Sequence, residues 1–484
     1  MKNRNRRKKA AFSIYLALML SVMIPLIWTM IEAARANAVR MRIECAMDLA
    51  SDSVLAEYNR KLLDDYSLLM IDTAYGSSSG SADKLLYRIT EYVNKNLDTS
   101  AGSELFTADL CGLGLSSAEI KELSRGSDSS SSVLRHLALS YMYEKYGVSY
   151  VSDTADLISN NGSIEADGRD VNEDLDDSQS RVDSISIDPP EDLEEGEEWT
   201  EPEKDDPAEN IKKLRNKGIL TLVCKKEISA RSVNLSSYAS KRSLVKGNGI
   251  PSDWEIRNGI TDRLMFLEYI MEKTSNYTEE TASSPLFYET EYILCGKDND
   301  TDNLRSIADR LMLIRGAANT ATYLSSTSLQ QQTKAVAAAL SFVIAFPEFQ
   351  PVFEAVISAA WIYMECLYDL KLLFDGKKVP IVKSEAEWHY SLDTALGISS
   401  AGPETGEGYA EGLTYEDLLR IMLFTCDENT KAMRMSDIIE MNMRTADTYS
   451  SFRIDDCIAA ANIQYIFKSS YGYTLLAEKR FRYM

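Results

Sequence analysis

The sequence predicts a mainly α-helical protein with a small β component (α+β), in which a long N-terminal transmembrane and stem helix precedes a helical head. Three observations predict this class. Residues 10–31 form an apolar run without a charged side chain. The next 35 residues contain neither Gly nor Pro and are rich in strong helix formers. Further along the chain, apolar residues recur mainly at helical spacing, and only a few short runs are rich in β-branched residues.

The apolar run is long enough to cross a lipid bilayer. At 1.5 Å per residue it extends about 33 Å, which is close to the hydrocarbon thickness of a membrane. Two small-x-small patterns, Ala34-Arg35-Ala36 and Ala36-Asn37-Ala38, would also fit a cleaved signal peptide. The apolar region of a signal peptide is, however, only ~7–15 residues long. We therefore expect a retained membrane anchor rather than a signal peptide or a buried core helix.

The flanking charges predict the orientation of the span. Residues 32–48 carry equal numbers of acidic and basic side chains, whereas the leader before the span is basic and contains no acid. By the positive-inside rule, the N-terminus is cytoplasmic and the bulk of the chain is extracytoplasmic. The basic residues of the leader are Lys2, Arg4, Arg6, Arg7, Lys8 and Lys9.

The span and the residues after it are predicted to form one continuous helix of about 55 residues, roughly 80 Å long. Val39, Ile43, Met47 and Val54 recur near helical spacing in its second half. Pro25 is expected to kink the helix inside the membrane. The sequence after this helix, "YSLLMID", is a short apolar run that ends in a Ser/Gly-rich loop, which predicts a buried strand.

Acidic residues are concentrated in one segment. Residues 151–209 contain 22 Asp and Glu against three basic residues, a balance of −19 within a net charge of −22. This segment has few large apolar side chains, and their burial cannot offset the conformational entropy lost on folding. Residues 151–210 are therefore predicted to be a disordered insertion. The acidic balance also argues against a nucleic acid partner.

The remaining segments are predicted to form the head. Residues 81–150 are predicted to be helical, and Ser116 and Glu119 have the spacing of a capping box that predicts a helix start within them. "GILTLVC" (218–224) and "FYETEYILC" (287–295) are predicted strands that could pair with "YSLLMID". Helices are predicted over residues 261–274, 302–325, 330–346, 351–374, 414–424 and 436–448. The complete prediction is a leader (1–9), a transmembrane helix (10–31), a stem (32–65), a first head part (66–150), the insertion (151–210) and a second head part (211–484).

Two apolar segments in the second head part, residues 335–346 and 351–367, could be mistaken for a second membrane pass. Each uncharged run is shorter than the ~18 residues that a span needs. Glu354 and the sequence "PEFQP" also interrupt the pair. Buried core helices are the better prediction.

Catalytic motifs have weak support. His136 and His389 lack the spacing of a zinc site. "GSSSG" places Ser78 at the nucleophile position of GxSxG, but a Ser/Gly-rich loop produces this pattern by composition, and His389 would be its only late partner. We also see no Gly-rich phosphate-binding loop. The sequence therefore predicts neither an enzyme nor a cofactor.

One segment offers a weak calcium candidate. In "DNDTDN", Asp298, Asp300 and Asp302 place oxygen ligands at alternate positions, as a calcium loop does. Asn303 stands where such a loop needs Gly, and Asp309 stands where it needs Glu. The favoured alternative is that Asp302 or Thr301 caps the helix that follows. The seven cysteines are far apart, without the CxxC spacing of a metal site, and are interpreted mainly as small apolar residues, with a single disulfide left open.

The N-terminal ~70 residues resemble the TadE/TadG-type pilin-like proteins of bacterial Tad (tight adherence) pilus systems. The resemblance lies in the basic leader, the apolar helix with Pro25, and the Ala-rich "CAMDLASDSVLA". The remainder, including "AAWIYMECLYDLKLLFDGKKVPIVKS" and "GLTYEDLLRIMLF", is similar to an uncharacterised family of Gram-positive exported proteins. That second resemblance implies no activity.

Two positions depart from the pilin-like pattern. A prepilin peptidase site would have Glu five positions into the helix, where this chain has Tyr15. Some TadG-type proteins carry a metal site that begins Asp-x-Ser-x-Ser, whereas the strand here ends Asp72-Thr73-Ala74. These departures argue against a polymerising major pilin and against that metal site.

These observations lead to three functional hypotheses. The first, which the resemblance implies, is an accessory, minor pilin-like component of a Tad-type pilus or secretion apparatus, with a structural role. Its partners would be the membrane, pilus or secretion proteins, and other copies through the N-terminal helix. The second is a single-pass cell-surface binding or adhesion protein without an assembly role. The third is an enzyme of unfamiliar type.

Overall fold

A computed structural model shows how the chain folds. It describes residues 2–98, 112–161, 170–184, 209–255, 257–279, 284–343, 349–397 and 406–483. The chain divides into two compact units, and each unit combines segments that are distant in sequence. The first unit comprises Met1–Leu137, Ser243–Glu255 and Asp447–Met484, and the second comprises Ala138–Arg242 and Ile256–Ala446. This division differs from the predicted head parts, because the C-terminal residues belong with the N-terminal unit.

The predicted continuous N-terminal helix is confirmed. Helix α1 covers Lys2–Leu55, 54 residues that include Pro25. The predicted stem of residues 32–65 is too long, because α1 ends at Leu55 and Asn59 caps a separate helix, α2 (Arg60–Tyr66). Its apolar part has a mean hydropathy of 2.2 and is not buried by the rest of the chain. The described residues contain this one helix that is long and apolar enough to cross a membrane. The predicted fold class, mainly α with a small β component, is also confirmed.

The first unit is built on an antiparallel sheet. Strand β3 pairs with all three other strands of the sheet, which places N-terminal and C-terminal segments side by side. The strands are β1 (Ile71–Asp72), β2 (Leu113–Arg125), β3 (Cys457–Ser469) and β4 (Thr474–Arg482). Helices α2 (Arg60–Tyr66), α3 (Ala82–Leu97) and the start of α4 (Asp128–Tyr146) complete the unit.

Two of the sequence predictions for this unit are wrong. The helix predicted at Ser116 and Glu119 is strand β2, which pairs with β3 from Leu113 opposite Ser469 to Arg125 opposite Ile458. The second head part (211–484), predicted to be mostly helical with no element assigned after residue 448, ends instead in the β3–β4 hairpin. In both cases the pairing partner decides the structure, because a strand gains its hydrogen bonds from a neighbour that local sequence does not reveal. "YSLLMID" is confirmed as a strand over its last two residues, which form β1.

The second unit is helical. Helix α13 (Gln350–Phe374) is its central element, with 18 buried residues from Phe353 to Phe374. The others are α5 (Ser152–Asn161), α6 (Val171–Asp183), α7 (Glu209–Arg215), α8 (Ile219–Val223), α9 (Ile260–Lys273), α10 (Glu289–Cys295), α11 (Asp300–Ser325), α12 (Thr327–Val343), α14 (Leu392–Gly397), α15 (Tyr415–Thr425) and α16 (Glu428–Met443). The six helices predicted between residues 261 and 448 are thus confirmed, with shifted ends and with residues 344–346 outside the described part. Burial of α13 also confirms that residues 351–367 form a core helix. The same prediction is wrong for the described part of residues 335–346, the end of α12, where Ala337 and Ser341 are buried but Phe342 is 81% exposed.

Two predicted strands of the second unit are helices. "GILTLVC" contains α8, and "FYETEYILC" contains α10. Helix α10 has Glu289 and Glu291 in its first turn, and it ends at Gly296, whose left-handed backbone (φ 67°) donates its N–H to the carbonyl of Tyr292. Acidic residues at the start and a left-handed glycine at the end are helix signals that outweigh the β-branched composition.

The acidic segment is partly ordered, in contrast to its predicted disorder. Helices α5 and α6 lie within it, and α6 packs against α13. Val171, Leu175 and Val182 recur at helical spacing on the buried face of α6, while Asp170 caps its N-terminus. A few well-spaced apolar residues are therefore enough to dock a strongly acidic helix. Residues 162–169 and 185–208 lie outside the described part of the chain.

Candidate membrane and assembly surface

The stem, which we define as residues 32–55 of α1, buries one face within the first unit. This inner face packs against α3 and β4. Its residues recur at the three- and four-residue intervals of one helix face. They are Val39, Ile43, Ala46, Met47, Ala50, Ser51 and Val54.

Strand β4 accompanies the stem along its length. Tyr473, just before β4, donates its hydroxyl hydrogen to the Glu32 carboxylate. Lys479 forms an ion pair with Asp48, and Tyr483 donates to the carbonyl of Leu55 over 2.5 Å. The 23 residues of helix between the outer contacts rise about 35 Å, and the ten residues of strand rise about 33 Å. Because the two rises match, the strand lies alongside the stem over its whole length.

The opposite face of the stem is apolar and uncovered. Met41 is 66% exposed and Leu49 is 53% exposed. Together with three small exposed side chains they form the outer stripe, which follows the helix in steps of three and four residues and lies across from the inner face. The outer stripe consists of Ala34, Ala38, Met41, Cys45 and Leu49. Ile31, 51% exposed at the end of the apolar run, makes the stripe continuous with the span.

The outer stripe has the properties of a helix-packing surface. Its Ala and Cys side chains are small and allow a second helix to approach closely. Burial of a side chain such as Met41 or Leu49 contributes about 1.5–3 kcal/mol. Glu44 and Asp48, both exposed, border the stripe on one side. A helix that covered this face would therefore bury apolar contacts beside the exposed Glu44, while Asp48 already pairs with Lys479.

A second surface feature lies on α3. Tyr87 is 67% exposed and lines two open cavities of about 620 Å³ and 380 Å³. Arg88, in the wall of the larger cavity, forms an ion pair with Glu57. Aromatic and charged side chains thus line the same depression, as in many binding sites for polar ligands. The larger cavity is lined by Tyr75, Asp83, Lys84, Tyr87 and Arg88.

The second unit contains a buried cluster of charges that the sequence analysis missed. The Lys383 ammonium lies between the carboxylates of Glu365 and Asp369, and all three side chains are fully buried. Arg315, 4% exposed, completes the cluster at 2.8 Å from Asp369. Burial lowers the pKa of Lys383, but the two carboxylates raise it by more, so the ammonium stays charged. The sequence signal for this cluster is the pair of acidic residues four positions apart in the apolar helix sequence "MECLYDL", because buried acidic side chains need partners of opposite charge.

This cluster is closed, and its charges balance. The side-chain amide of Asn319 donates to Asp369 over 2.9 Å, and the backbone N–H of His389 donates to Glu365 over 3.0 Å. The groups therefore connect α11, α13 and the segment around Lys383. A paired, buried cluster of this kind fixes how helices pack and leaves no carboxylate available for acid–base chemistry with a substrate.

Glu291 on α10 is a buried acid of a different kind. It accepts hydrogen bonds from the backbone N–H of Tyr277 (2.9 Å) and the hydroxyl of Tyr415 (2.7 Å). Burial raises the pKa of Glu291 to about 7. A carboxyl group in such an environment holds a proton under conditions where an exposed Glu has lost it.

A family comparison covers most of the second unit and, in the first unit, residues 243–255 and the segment through the end of β3. The family of unknown function DUF5702 matches residues 197–469, more than half of the chain. This chain belongs to the DUF5702 family. The match confirms that the C-terminal part resembles an uncharacterised family, and it does not include the stem. No curated protein matches the DUF5702 chain, and no solved structure matches it either.

The two histidines and Ser78 of this DUF5702 protein lie in packing and loop positions. His136 stacks on Trp254 at 4.2 Å in the first unit, and His389 stacks on Tyr368 at 3.8 Å in the second. Ser78 lies in the exposed loop after β1, as the loop interpretation predicts. The two rings therefore pack as aromatic side chains within their own units.

The predicted calcium ligands of the DUF5702 chain have separate structural roles. Asp300 is fully buried and accepts the hydroxyl hydrogen of Ser229 (2.5 Å) and the N–H of Phe287 (3.0 Å). The side chain of Asn299, between Asp298 and Asp300, caps α11 by accepting from the N–H of Asp302. In the described parts of the chain, no three His, Cys, Asp or Glu side chains are grouped to hold a metal ion. The loop caps a helix as predicted, but the predicted capping residues are wrong, because Asn299 is the cap and not Asp302 or Thr301.

Proposed function

We propose that this protein is a membrane-anchored, extracytoplasmic accessory component of a Tad-type pilus or secretion apparatus, with a minor pilin-like structural role. The outer stripe is the observation that supports the proposal best. One face of the stem is already occupied by its own unit, and the second apolar face is continuous with the span. A soluble domain on a simple tether gains nothing from a second apolar face, whereas a helix that packs beside another helix requires one.

The anchoring part of the proposal rests on the apolar run of α1 and on the charges around it. The run is uncovered by the rest of the chain, so its apolar side chains need a lipid or protein environment. The basic leader favours a cytoplasmic N-terminus. Both units are then extracytoplasmic, and the stem is the first segment to emerge from the membrane.

Cys45 allows a direct test of assembly through the stripe. It is exposed and lies in the middle of the outer stripe. We expect a membrane-permeant thiol cross-linker, applied to cells that produce the protein, to join Cys45 to a neighbouring stem helix, identified by mass spectrometry as a pilin-like protein of the same apparatus. Absence of the cross-linked product in Cys45→Ser would show that the cross-link forms at Cys45.

A matched pair of double variants tests whether the stripe carries the interaction. Met41→Lys/Leu49→Lys places two charges in the outer stripe and should abolish the cross-linked partner and its co-purification. Ala33→Lys/Asn37→Lys adds the same charge at exposed positions outside the stripe and should preserve both. If both pairs behave alike, or if an unrelated membrane helix in place of residues 10–55 restores full function, the assembly role is excluded.

A cell-surface binding protein without an assembly role is the second candidate. The cavities beside Tyr87 favour it, because they are open and combine aromatic with charged groups. Under this alternative, Tyr87→Ala would abolish attachment of the cells to their target, and Met41→Lys/Leu49→Lys would not. The accessory role requires the reverse result.

A further inference from the structure

The turn between β3 and β4 lies against the end of the stem next to the membrane. The Tyr473 hydroxyl donates to Glu32, the first charged residue after the apolar run. The guanidinium of Arg35 lies 4.0 Å from the centre of the Tyr471 ring. The turn that connects the last two strands is therefore held at the level where the chain leaves the apolar span.

This level corresponds to the headgroup region of a bilayer. If the hydrocarbon boundary lies at Ile31, residues 32–35 rise at most about 6 Å above it. The polar region of one leaflet is about 5–8 Å thick, given a bilayer of ~40–45 Å with a ~30 Å hydrocarbon core. The contacts at Glu32 and Arg35 thus place both tyrosines of the turn within this layer.

The composition of the turn suits that environment. Tyr471 is 45% exposed, so its ring is available to lipid while its other side covers Arg35. Lys468, exposed at the end of β3, adds a positive charge that attracts anionic headgroups. Tyrosine is enriched at membrane interfaces because its ring is apolar and its hydroxyl is polar.

The turn is also ordered enough to act as a fixed contact. Ser469 donates its N–H to the carbonyl of Tyr473 over 2.9 Å, and Gly472 donates to that of Ser469 over 3.0 Å. Gly472 has φ +89°, which a residue without Cβ adopts without strain. The contacts between β4 and the stem then connect the turn rigidly to the rest of the first unit.

We propose that the β3–β4 turn is a lipid-interface contact, in which Tyr471 inserts its ring among the phospholipid headgroups and Lys468 binds their phosphates. The turn would hold the first unit against the membrane surface and fix the direction in which the outer stripe faces. This inference rests on the proposed membrane anchoring, and the test separates the two.

Tryptophan fluorescence in proteoliposomes tests the contact. The full chain with Trp28→Phe is reconstituted in phosphatidylcholine/phosphatidylglycerol vesicles that contain a lipid with a nitroxide on its headgroup. This background keeps Trp199, Trp254, Trp361 and Trp388, so the signal of each added reporter, and that of Trp28 itself, is taken as the difference from the Trp28→Phe chain. We expect Tyr471→Trp in this background to be quenched several-fold more strongly than Tyr87→Trp. Tyr87 is the matched control because it is exposed in the same unit, next to Arg88, which pairs with Glu57 beyond the far end of the stem. Ser470→Trp, at an exposed neighbouring position, provides a second reporter that should behave as Tyr471→Trp does.

Trp28 of the unchanged chain reports on anchoring itself. If lipids brominated in their acyl chains quench Trp28 but the headgroup nitroxide leaves both turn reporters at the level of Tyr87→Trp, the anchor stands and the turn contact is overturned. If Trp28 is not quenched, the anchoring on which the inference rests is wrong. Reporters protected from quenching only when a partner protein is added would show that the turn binds protein instead of lipid.

Discussion

Glu291 shows how burial changes the chemistry of a single side chain. Desolvation raises the pKa of its carboxyl to about 7. In the unfolded chain the same group releases its proton near pH ~4.3, the ordinary value for Glu. Between these two values the folded state holds more protons than the unfolded state. The stabilisation is therefore fully present below about pH 4.3 and is lost as the pH rises through about 7.

Glu291→Gln is expected to remove this pH dependence. Urea unfolding can be followed through Trp361 and Trp388, which lie 5.6 Å apart in the second unit. The free energy of unfolding of the native chain should fall relative to that of the variant, by on the order of 3 kcal/mol between about pH 4.5 and pH 8. Parallel curves for the two proteins would contradict a protonated, buried Glu291.

Single residues also show that a match to a short sequence motif does not establish a functional site. "GSSSG" matches a nucleophile pattern, and "DNDTDN" partly matches a calcium loop, but each match describes only residues close together in the chain. Ser78 lies in an exposed loop, and Asp300 is buried beneath Ser229 and Phe287. Lys383 belongs to no motif, yet it is one of the most tightly held charges in the protein, because its partners are 14 and 18 residues away.

At the level of elements, the stem is distinguished by its two apolar faces. Ala50 belongs to the inner face and is completely buried, while the adjacent Leu49 belongs to the outer stripe. The sequence alone identifies Ala50 as part of a helix but does not show which surface it meets. A substitution at either position therefore tests a different property of the same helix.

We expect Ala50→Arg to destabilise the first unit by about 3 kcal/mol or more, because it forces a large charged side chain into a packed interface. Leu49→Arg, which introduces the same residue on the exposed face, should change stability by less than about 0.5 kcal/mol. Thermal unfolding of the full chain in detergent micelles measures both. Equal melting temperatures for the two variants would show that the inner face is not packed as described.

The strands were harder to predict than the helices, for a physical reason. A helix forms its backbone hydrogen bonds within one continuous segment. The spacing of apolar residues in that segment is therefore enough to predict it. Strand β2 satisfies its bonds with β3, more than 330 residues away, and its "AEIKELS" is composed largely of helix formers. The β3–β4 hairpin did carry a local signal, because "NIQYIFKSSYGYTLL" alternates β-branched and aromatic residues around a glycine turn.

At the level of the whole molecule, the proposed topology predicts which parts of the chain a protease reaches. Protease added to intact protoplasts should degrade both units of the native chain and spare only the leader and the span. Replacing the six basic residues of the leader with Gln should leave a measurable share of the chains protected, because the charge bias that orients the span is gone. Exchanging Lys for Arg at the same positions is the control and should have no effect. If the two units of the native chain were protected from the protease, the proposed orientation would be wrong and the head would be cytoplasmic.

The sequence by itself determined the features that depend on neighbouring residues: the uncharged run of residues 10–31, the continuous helix α1, and the main helices of the second unit. Tertiary structure alone decided the rest. It joined the C-terminal strands to the N-terminal unit, left the outer stripe of the stem uncovered, and enclosed Lys383 between Glu365 and Asp369. Helix formation and hydropathy are local properties of the chain, whereas strand pairing and burial depend on which distant segment arrives to cover a surface.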